Sequence, residues 1–171
     1  MPLGREYEGQ NCALARSLEV VGERWTMLIL RDLFFGVRRF SALQSHLDIP
    51  RAVLSGRLAS LVEHGLVERR PYGGGRDEFR LTDCGLELWP VVHRLMQWGE
   101  RHLVDDQGPV RLFSHASCGT DLSAAGFCST CGLEPAPGEI ETRPGSAPPR
   151  VIRTDAVSNA LRQPHRLLTP L

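Results

Sequence analysis

Four residues of this 171-residue chain combine the donor types and spacing that a metal ion needs. His115-Ala116-Ser117-Cys118-Gly119 and Cys128-Ser129-Thr130-Cys131-Gly132 are two copies of one pattern: a donor, two residues, a cysteine, a glycine. Together they spell H-x2-C-x9-C-x2-C. Two intervening residues let one tight turn present both donors to the same ion. The glycine after the second donor admits the positive φ that points backbone N–H groups at a thiolate sulfur. Two such turns face to face supply Cys3His, the donor set of a tetrahedral structural zinc site. Catalytic zinc does not fit, because four protein donors leave no open position. Two other readings of these residues stay open: a ribbon without metal, held by strand pairing, and a reversible disulfide, foremost Cys128 with Cys131. Cys12 is the other candidate for chemistry. It falls in the first turn of a helix, where thiol pKa drops and reactivity rises; the alternative is a small apolar residue packed at a subunit seam. Cys84, beside Gly85, reads as structural.

A second constellation is cationic. The chain has twenty basic residues, every one an arginine, against twenty acidic ones, so its formal charge is zero. From Gly36 to Arg57 lie Arg38, Arg39, Arg51 and Arg57 against Asp48 alone, and Arg69, Arg70, Arg76 and Arg80 follow in the next segment. Guanidinium forks suit phosphate and guanine. A GC-rich genome would also favour arginine codons.

The elements that position these groups follow from periodicity. Asn11 can cap a helix from Cys12 to Val21 with Leu14, Leu18 and Val21 inward. Trp25, Leu28, Ile29 and Leu33 recur at helical spacing and stop at Gly36. Phe40, Leu43 and Leu47 mark a short helix that Ser41 could cap. Pro50 opens a third at its first turn, with Leu54, Leu58 and Leu61 on one face and an end at Gly65. Val67 to Tyr72 and Glu78 to Thr82 are β-prone runs joined by Gly73-Gly74-Gly75-Arg76-Asp77, a hairpin. Helix, turn, helix, hairpin is a winged helix-turn-helix. Thr82 can cap a further helix running to about Leu103, with Pro90 kinking it or sitting in its first turn. That helix is apolar on more than one face, which argues for a partner chain.

Several spaced motifs in register carry a family resemblance over about residues 10 to 104: Cys12-Ala13-Leu14, Gly22-Glu23-Arg24-Trp25, Ile29-Leu30-Arg31-Asp32-Leu33, Gly36-Val37-Arg38-Arg39-Phe40, Leu54-Ser55-Gly56-Arg57-Leu58, Glu63-His64-Gly65-Leu66-Val67, Leu81-Thr82 and Trp98. The chain resembles the HxlR-type transcriptional regulators of the MarR-like group. The resemblance implies a homodimer, paired through its terminal helices, that binds double-stranded operator DNA and responds to oxidants, electrophiles or a small ligand. It also places Cys12 where related regulators carry a sensing cysteine. Where the family has Pro-Pro-Arg-Val-Glu-Tyr in the wing, this chain has Gly75-Arg76-Asp77-Glu78-Phe79, which predicts a looser wing tip.

The fold class expected is therefore mainly α with a β-hairpin wing, plus a small C-terminal zinc-ribbon-like β module. The chain divides into a flexible arm at 1–10, a DNA-binding and dimerisation domain at 11–104, the ribbon at 110–143 and a Pro-rich, mostly irregular tail at 144–171. Val110 to Phe113, Gly126-Phe127 and Glu139 to Glu141 would be the ribbon strands, and Asp105 to Pro109 a linker that separates the module from the core. At the start of the reader helix, behind Pro50, Arg51 would meet either a guanine edge or a phosphate and Ser55 any base edge, with Ala52, Gly56 and Ala59 allowing close approach. Arg38 and Arg39 would clamp phosphate, Arg57 would be structural or phosphate-bound, and Arg70, Arg76 and Arg80 would reach out from the wing. No stretch suits a membrane span or a signal peptide, so a cytoplasmic, nucleoid-associated protein is expected. Nothing resembles a catalytic triad, a phosphate loop or a carboxylate pair in a cleft, so an enzyme is not expected. The alternative class is a protein-interaction module that binds a polypeptide through the winged helix and ribbon.

Overall fold

The computed structural model describes residues 7, 9–104, 108–148 and 152–171. Most of the expected arm, three residues of the linker and three of the Pro-rich segment lie outside the described residues. Four helices come first: α1 (Ala13–Val21), α2 (Thr26–Phe34), α3 (Phe40–Leu47) and α4 (Arg51–Glu63). The wing follows as β1 (Val67–Tyr72) and β2 (Arg76–Leu81), antiparallel, with Tyr72 opposite Arg76 and Val67 opposite Leu81. Next come α5 (Asp83–Leu86), α6 (Trp89–Leu103), β3 (Arg111–His115), β4 (Ile140–Pro144), α7 (Ala156–Ala160) and β5 (His165–Arg166). No helix among the described residues is long and apolar enough to cross a membrane.

Local chemistry sets most boundaries. α4 ends in a Schellman motif: Gly65 at φ +70 lets its N–H reach Val62 O while Leu66 N–H reaches Leu61 O, each at 3.0 Å. Thr82 caps α5 through its hydroxyl, which accepts from Gly85 N–H at 3.1 Å. The single helix expected from Thr82 to Leu103 is two, because Pro90 lies in the first turn of α6, where its missing N–H has no partner to lose. Gly85 is pressed against Leu66; a Cβ there would lie 2.1 Å from the Leu66 carbonyl.

The core runs through both halves of the chain. Ile29, Leu30, Leu33 and Phe34 of α2 and Leu54, Leu58 and Leu61 of α4 share one buried cluster with Phe113, Ile140, Val157, Leu161 and Leu167. Trp89 stands between Phe34 and Phe113, with ring centroids 5.1 and 5.4 Å away. The module is therefore packed onto the helices rather than held off by a spacer. Leu14 and Leu18, expected inward, are exposed, and so is Leu28.

The tail makes the closure. In the ribbon sheet the order is β3-β4-β5, all antiparallel. The third strand comes from the tail, whereas Gly126-Phe127, expected to be a strand, only flanks the isolated Cys128–Leu133 bridge. Beyond β5 the backbone turns over the α2–α3 loop. Leu168 N–H donates to Phe34 O at 2.8 Å and Leu171 N–H to Gly36 O at 3.1 Å. Arg38 Nη2 donates to Leu168 O at 2.7 Å, and His165 Nε2 lies 2.9 Å from Phe35 O. Gly36, at φ +85, is required twice: a side chain would strain the backbone, and its Cβ would lie 1.7 Å from Thr169 O.

This contact can be isolated by comparing two glycines. Gly65 also has positive φ but open space around it. Gly65→Ala should cost about 1 kcal/mol from backbone strain alone. Gly36→Ala should cost about 2–3 kcal/mol, because the tail must also move. Equal costs in chemical denaturation would show that the tail contact contributes nothing.

Candidate nucleic-acid interface and metal centre

The exposed face of α4 presents Arg51, Ala52, Ser55, Gly56 and Ala59, while Leu54, Leu58 and Leu61 are buried beneath. Pro50 is the N-cap rather than the first helical residue, and Arg51 begins the helix with its guanidinium 5.2 Å from the Phe40 ring centroid. Between this end of α4 and the wing lies a groove of about 370 Å³ lined by Arg39, Arg51, Arg69 and Arg76, with Tyr72 and Asp77. Phe79 N–H donates to Arg38 O at 2.8 Å, and Arg39 pairs with Glu78 as an isolated bridge. The segment before α3 thus lies along the wing as a short extra strand, which fixes the groove wall.

The arginines then separate by partner. Arg39 donates to Tyr72 Oη at 2.7 Å and stacks on that ring, yet stays exposed at the groove. Arg51 and Arg76 are exposed and, among the described residues, meet no carboxylate. Arg69, which the wing's charge pattern includes but the expected contact set omits, pairs with Asp77 inside the groove. Arg70 pairs with Glu68 at 2.6 Å, and Arg80 with the buried Glu78. Arg57 faces Glu23 at 3.6 Å. Arg38 turns inward to the tail, and burial lowers its pKa from the usual arginine value. Tyr72 had no signal in a charge pattern; its place across the hairpin from Arg76 brings it to the site.

Within the helical core a buried carboxylate ties α2 to α3. Asp32 is fully buried, bonded to Arg31 at 2.7 Å and to His46 Nδ1 at 2.6 Å. Arg31 supplies a charge to pair with it and His46 a second bond; only the loss of both would strand the carboxylate, at a cost of about 3–5 kcal/mol.

The second constellation assembles as its spacing implies. The donor atoms of His115, Cys118, Cys128 and Cys131 all lie within 4.8 Å of one another. Both turns have the same construction. Gly119 N–H donates to His115 O at 2.8 Å and Gly132 N–H to Cys128 O at 2.9 Å, with φ of +71 and +69. Cys118 Sγ lies 3.5 Å from Cys128 Sγ and 3.6 Å from His115 Nδ1. A tetrahedron with metal–sulfur bonds of about 2.3 Å has edges of about 3.8 Å, so the cluster is already close to the size that one ion demands. His115 and Cys128 are buried; Cys118 and Cys131 are exposed. Hydrogen bonds from the Thr120 side chain and backbone pull the Cys118 thiol down to about 6, while bonding to Cys118 pushes the Cys131 thiol up to about 11. Cys12 is the N-cap of α1, exposed and with no side-chain capping bond.

Comparison with known proteins gives this geometry a context. A family model described as HxlR-like helix-turn-helix matches residues 20–107. The chain is 44% identical over 145 residues to the HTH-type transcriptional regulator Rv3095 of Mycobacterium tuberculosis, covering 84% of this chain and 90% of that protein. A match of that length cannot avoid the donors at 115–131, so the likeness extends through the ribbon. The solved structure of PA1607 superposes with a TM-score of 0.64 at 35% identity, covering 75% of this chain and 91% of PA1607. The redox regulator HypR in its oxidised form superposes with a TM-score of 0.51 at 27% identity, covering all of HypR but 55% of this chain. Winged helix, reader face and sequence match agree: the chain belongs to the HxlR-like helix-turn-helix family of DNA-binding transcriptional regulators.

Proposed function

We propose that this chain acts as a homodimeric, sequence-specific DNA-binding regulator in the cytoplasm, with one structural zinc ion in each protomer. The observation that carries the DNA reading is the groove between the start of α4 and the wing, where Arg39, Arg51, Arg69 and Arg76 converge in a chain of zero formal charge. A polyanion is the ligand such a groove suits. Arg51, at the N-terminal end of the reader helix, is placed for a guanine edge, and Ser55 for any base. Arg39 and Arg76 flank it as phosphate contacts.

The reading makes a graded prediction. Arg51→Ala should relax discrimination at one base position in each half-site, at about 1–3 kcal/mol. Arg39→Ala and Arg76→Ala should weaken all duplexes alike, each reducing the salt slope by about one. Arg38→Ala should lower the melting temperature before it alters the salt slope, because its guanidinium holds the tail. Titrations of a selected and a random duplex at two salt concentrations separate these outcomes. Salt-independent binding to duplex would favour the polypeptide-binding alternative.

Dimerisation is supported by unpartnered apolar faces. Leu14 and Leu18 on α1 and Val91, Leu95 and Trp98 on α6 are all 40% or more exposed. Joined across a two-fold axis, such faces would set two reader helices about 34–36 Å apart, one turn of duplex. Sedimentation should give a dimer at micromolar concentration and a monomer for Leu95→Glu; a monomeric parent chain would refute the assembly. Cys12, exposed at a helix N-terminus, is the candidate oxidant sensor, a reading in keeping with the name of HypR. An oxidant response of DNA binding that survives Cys12→Ser would remove it from that role.

The zinc reading rests on the donor set and its spacing. When bound, zinc would fasten the two turns together and supply folding energy rather than chemistry. Because Phe113 and Ile140 share the core with α2 and α4, its effect should extend beyond the ribbon. Chain purified without chelator should carry about one zinc equivalent. Cys118→Ser should lose it and lower the melting temperature of the whole chain. Metal below about a tenth of an equivalent, with three free thiols, would point to the metal-free ribbon, and a Cys128–Cys131 bond to the redox pair.

A further inference from the structure

On the side of the molecule where α3, the start of β3 and α7 meet, there is a second cavity, of about 480 Å³. That lies within the roughly 300–1,000 Å³ usual for small-molecule sites. Its wall is largely apolar, with Val110, Ile152 and Leu161, and its polar groups are three arginines, Arg111, Arg153 and Arg162, together with His46 and Ser158. Ile152 and Val110 are 73% and 46% exposed, so the apolar rim has no cover among the described residues.

Arg111 and Arg162 are held in place by uncharged partners, and Arg153 by a carbonyl and a carboxylate. Arg111 donates from Nη2 to Leu161 O at 3.0 Å and from Nη1 to Thr142 Oγ1 at 3.3 Å, and lies over the Phe35 ring. Those two bonds use two of its five N–H groups. Arg162 Nη2 donates to Arg153 O at 3.0 Å. Arg153 Nη2 donates to Ser45 O at 2.8 Å, while its Nε meets Asp155 at 3.3 Å. Among the described residues, then, Asp155 offsets Arg153; the Glu100 carboxylate accepts from the backbone N–H groups of Val110 and Arg111, while the guanidinium groups of Arg111 and Arg162 meet no carboxylate. Burial and the nearby Arg31 lower the Arg111 pKa. A rigid guanidinium with free N–H groups binds a carboxylate through paired hydrogen bonds. The apolar wall selects an anion with a hydrocarbon body over a bare inorganic one.

We propose that this cavity binds a small amphipathic carboxylate, an organic acid whose charged end meets Arg111 and Arg162 and whose body lies along Val110, Ile152 and Leu161. The site goes beyond the DNA-binding reading and does not depend on it. It adjoins the helix-turn-helix directly: His46 of α3 lines the cavity and bonds to the buried Asp32, and Ser45 of α3 anchors Arg153. Occupancy would act first on α3, the helix that precedes the reader.

The test uses the full-length chain without DNA, so failure of the DNA reading cannot mimic failure here. Octanoate and benzoate serve as probes, with 1-octanol and benzyl alcohol as neutral counterparts, in isothermal titration and thermal melts. At least one acid should bind saturably, one per chain, and raise the melting temperature, while its alcohol does neither. Arg162→Gln should weaken the acid at least tenfold. Ala147→Trp, which fills the cavity without altering its charge, should abolish binding and keep the circular dichroism of the parent. The proposal is overturned if neither acid binds, if the alcohols bind as well as the acids, or if Ala147→Trp binds the acid like the parent chain.

Discussion

The backbone crossing at Gly36 holds the two halves of this protein together. Residues 165–171 hydrogen-bond on one side to the ribbon, through Leu167 N–H to Ile140 O at 2.9 Å, and on the other to Phe34 and Gly36 in the α2–α3 loop. Only a residue without a side chain lets Thr169 O come so close. The consequence is a shared core, in which Trp89 joins Phe34 to Phe113 and Leu167 is buried among them. A ribbon of about thirty residues is too small to sustain a core by itself. Here it borrows one from the winged helix and carries its paired turns at the far end. In return the loop between α2 and α3 is held by residues from the far end of the chain.

Charge is arranged on the same frame. The twenty arginines are balanced by twenty acids overall, yet they are not equivalent in place. Arg80 and Arg70 are held by Glu78 and Glu68 on the wing, Arg31 by the buried Asp32, and Arg38 by a carbonyl of the tail. What these pairings leave at the groove is Arg39, Arg51 and Arg76. A neutral chain can thus still present a local positive field, because its acids are spent where the arginines are structural. The same reasoning distinguishes the second arginine cluster, around Arg111, where the wall is apolar and the expected ligand is small.

The elements read most directly from the sequence are those written in local chemistry. Gly65 ends α4, the glycine run closes the wing, and each donor-x2-Cys-Gly segment forms its turn, because each depends on residues within a few positions of one another. The boundaries and partners that were not legible are long-range. Arg38 looked like a phosphate clamp from its neighbours, but its partner Leu168 is 130 residues away. Leu14, Leu18 and Leu28 followed a helical period correctly while the side they face could not be told from period alone. The proline-rich composition around Pro144 to Pro148 reads as a mostly irregular tail with one short capped helix between Thr154 and Arg162; that helix is α7, but the chain after the prolines also supplies a strand and three core residues. Composition reports local stiffness and says nothing of where a segment docks.

If the tail crossing organises the molecule, removing it must be felt in the helix-turn-helix. Native-state hydrogen exchange of the full chain and of a chain ending at Gln163 is the direct comparison. The account predicts that the shorter chain loses protection in α2, α3 and the loop between them as well as in β4, although nothing in α2 or α3 has been altered. Loss confined to β4, with α2 and α3 exchanging as in the full chain, would contradict it and would make the ribbon and tail a separable appendage of an independent DNA-binding domain.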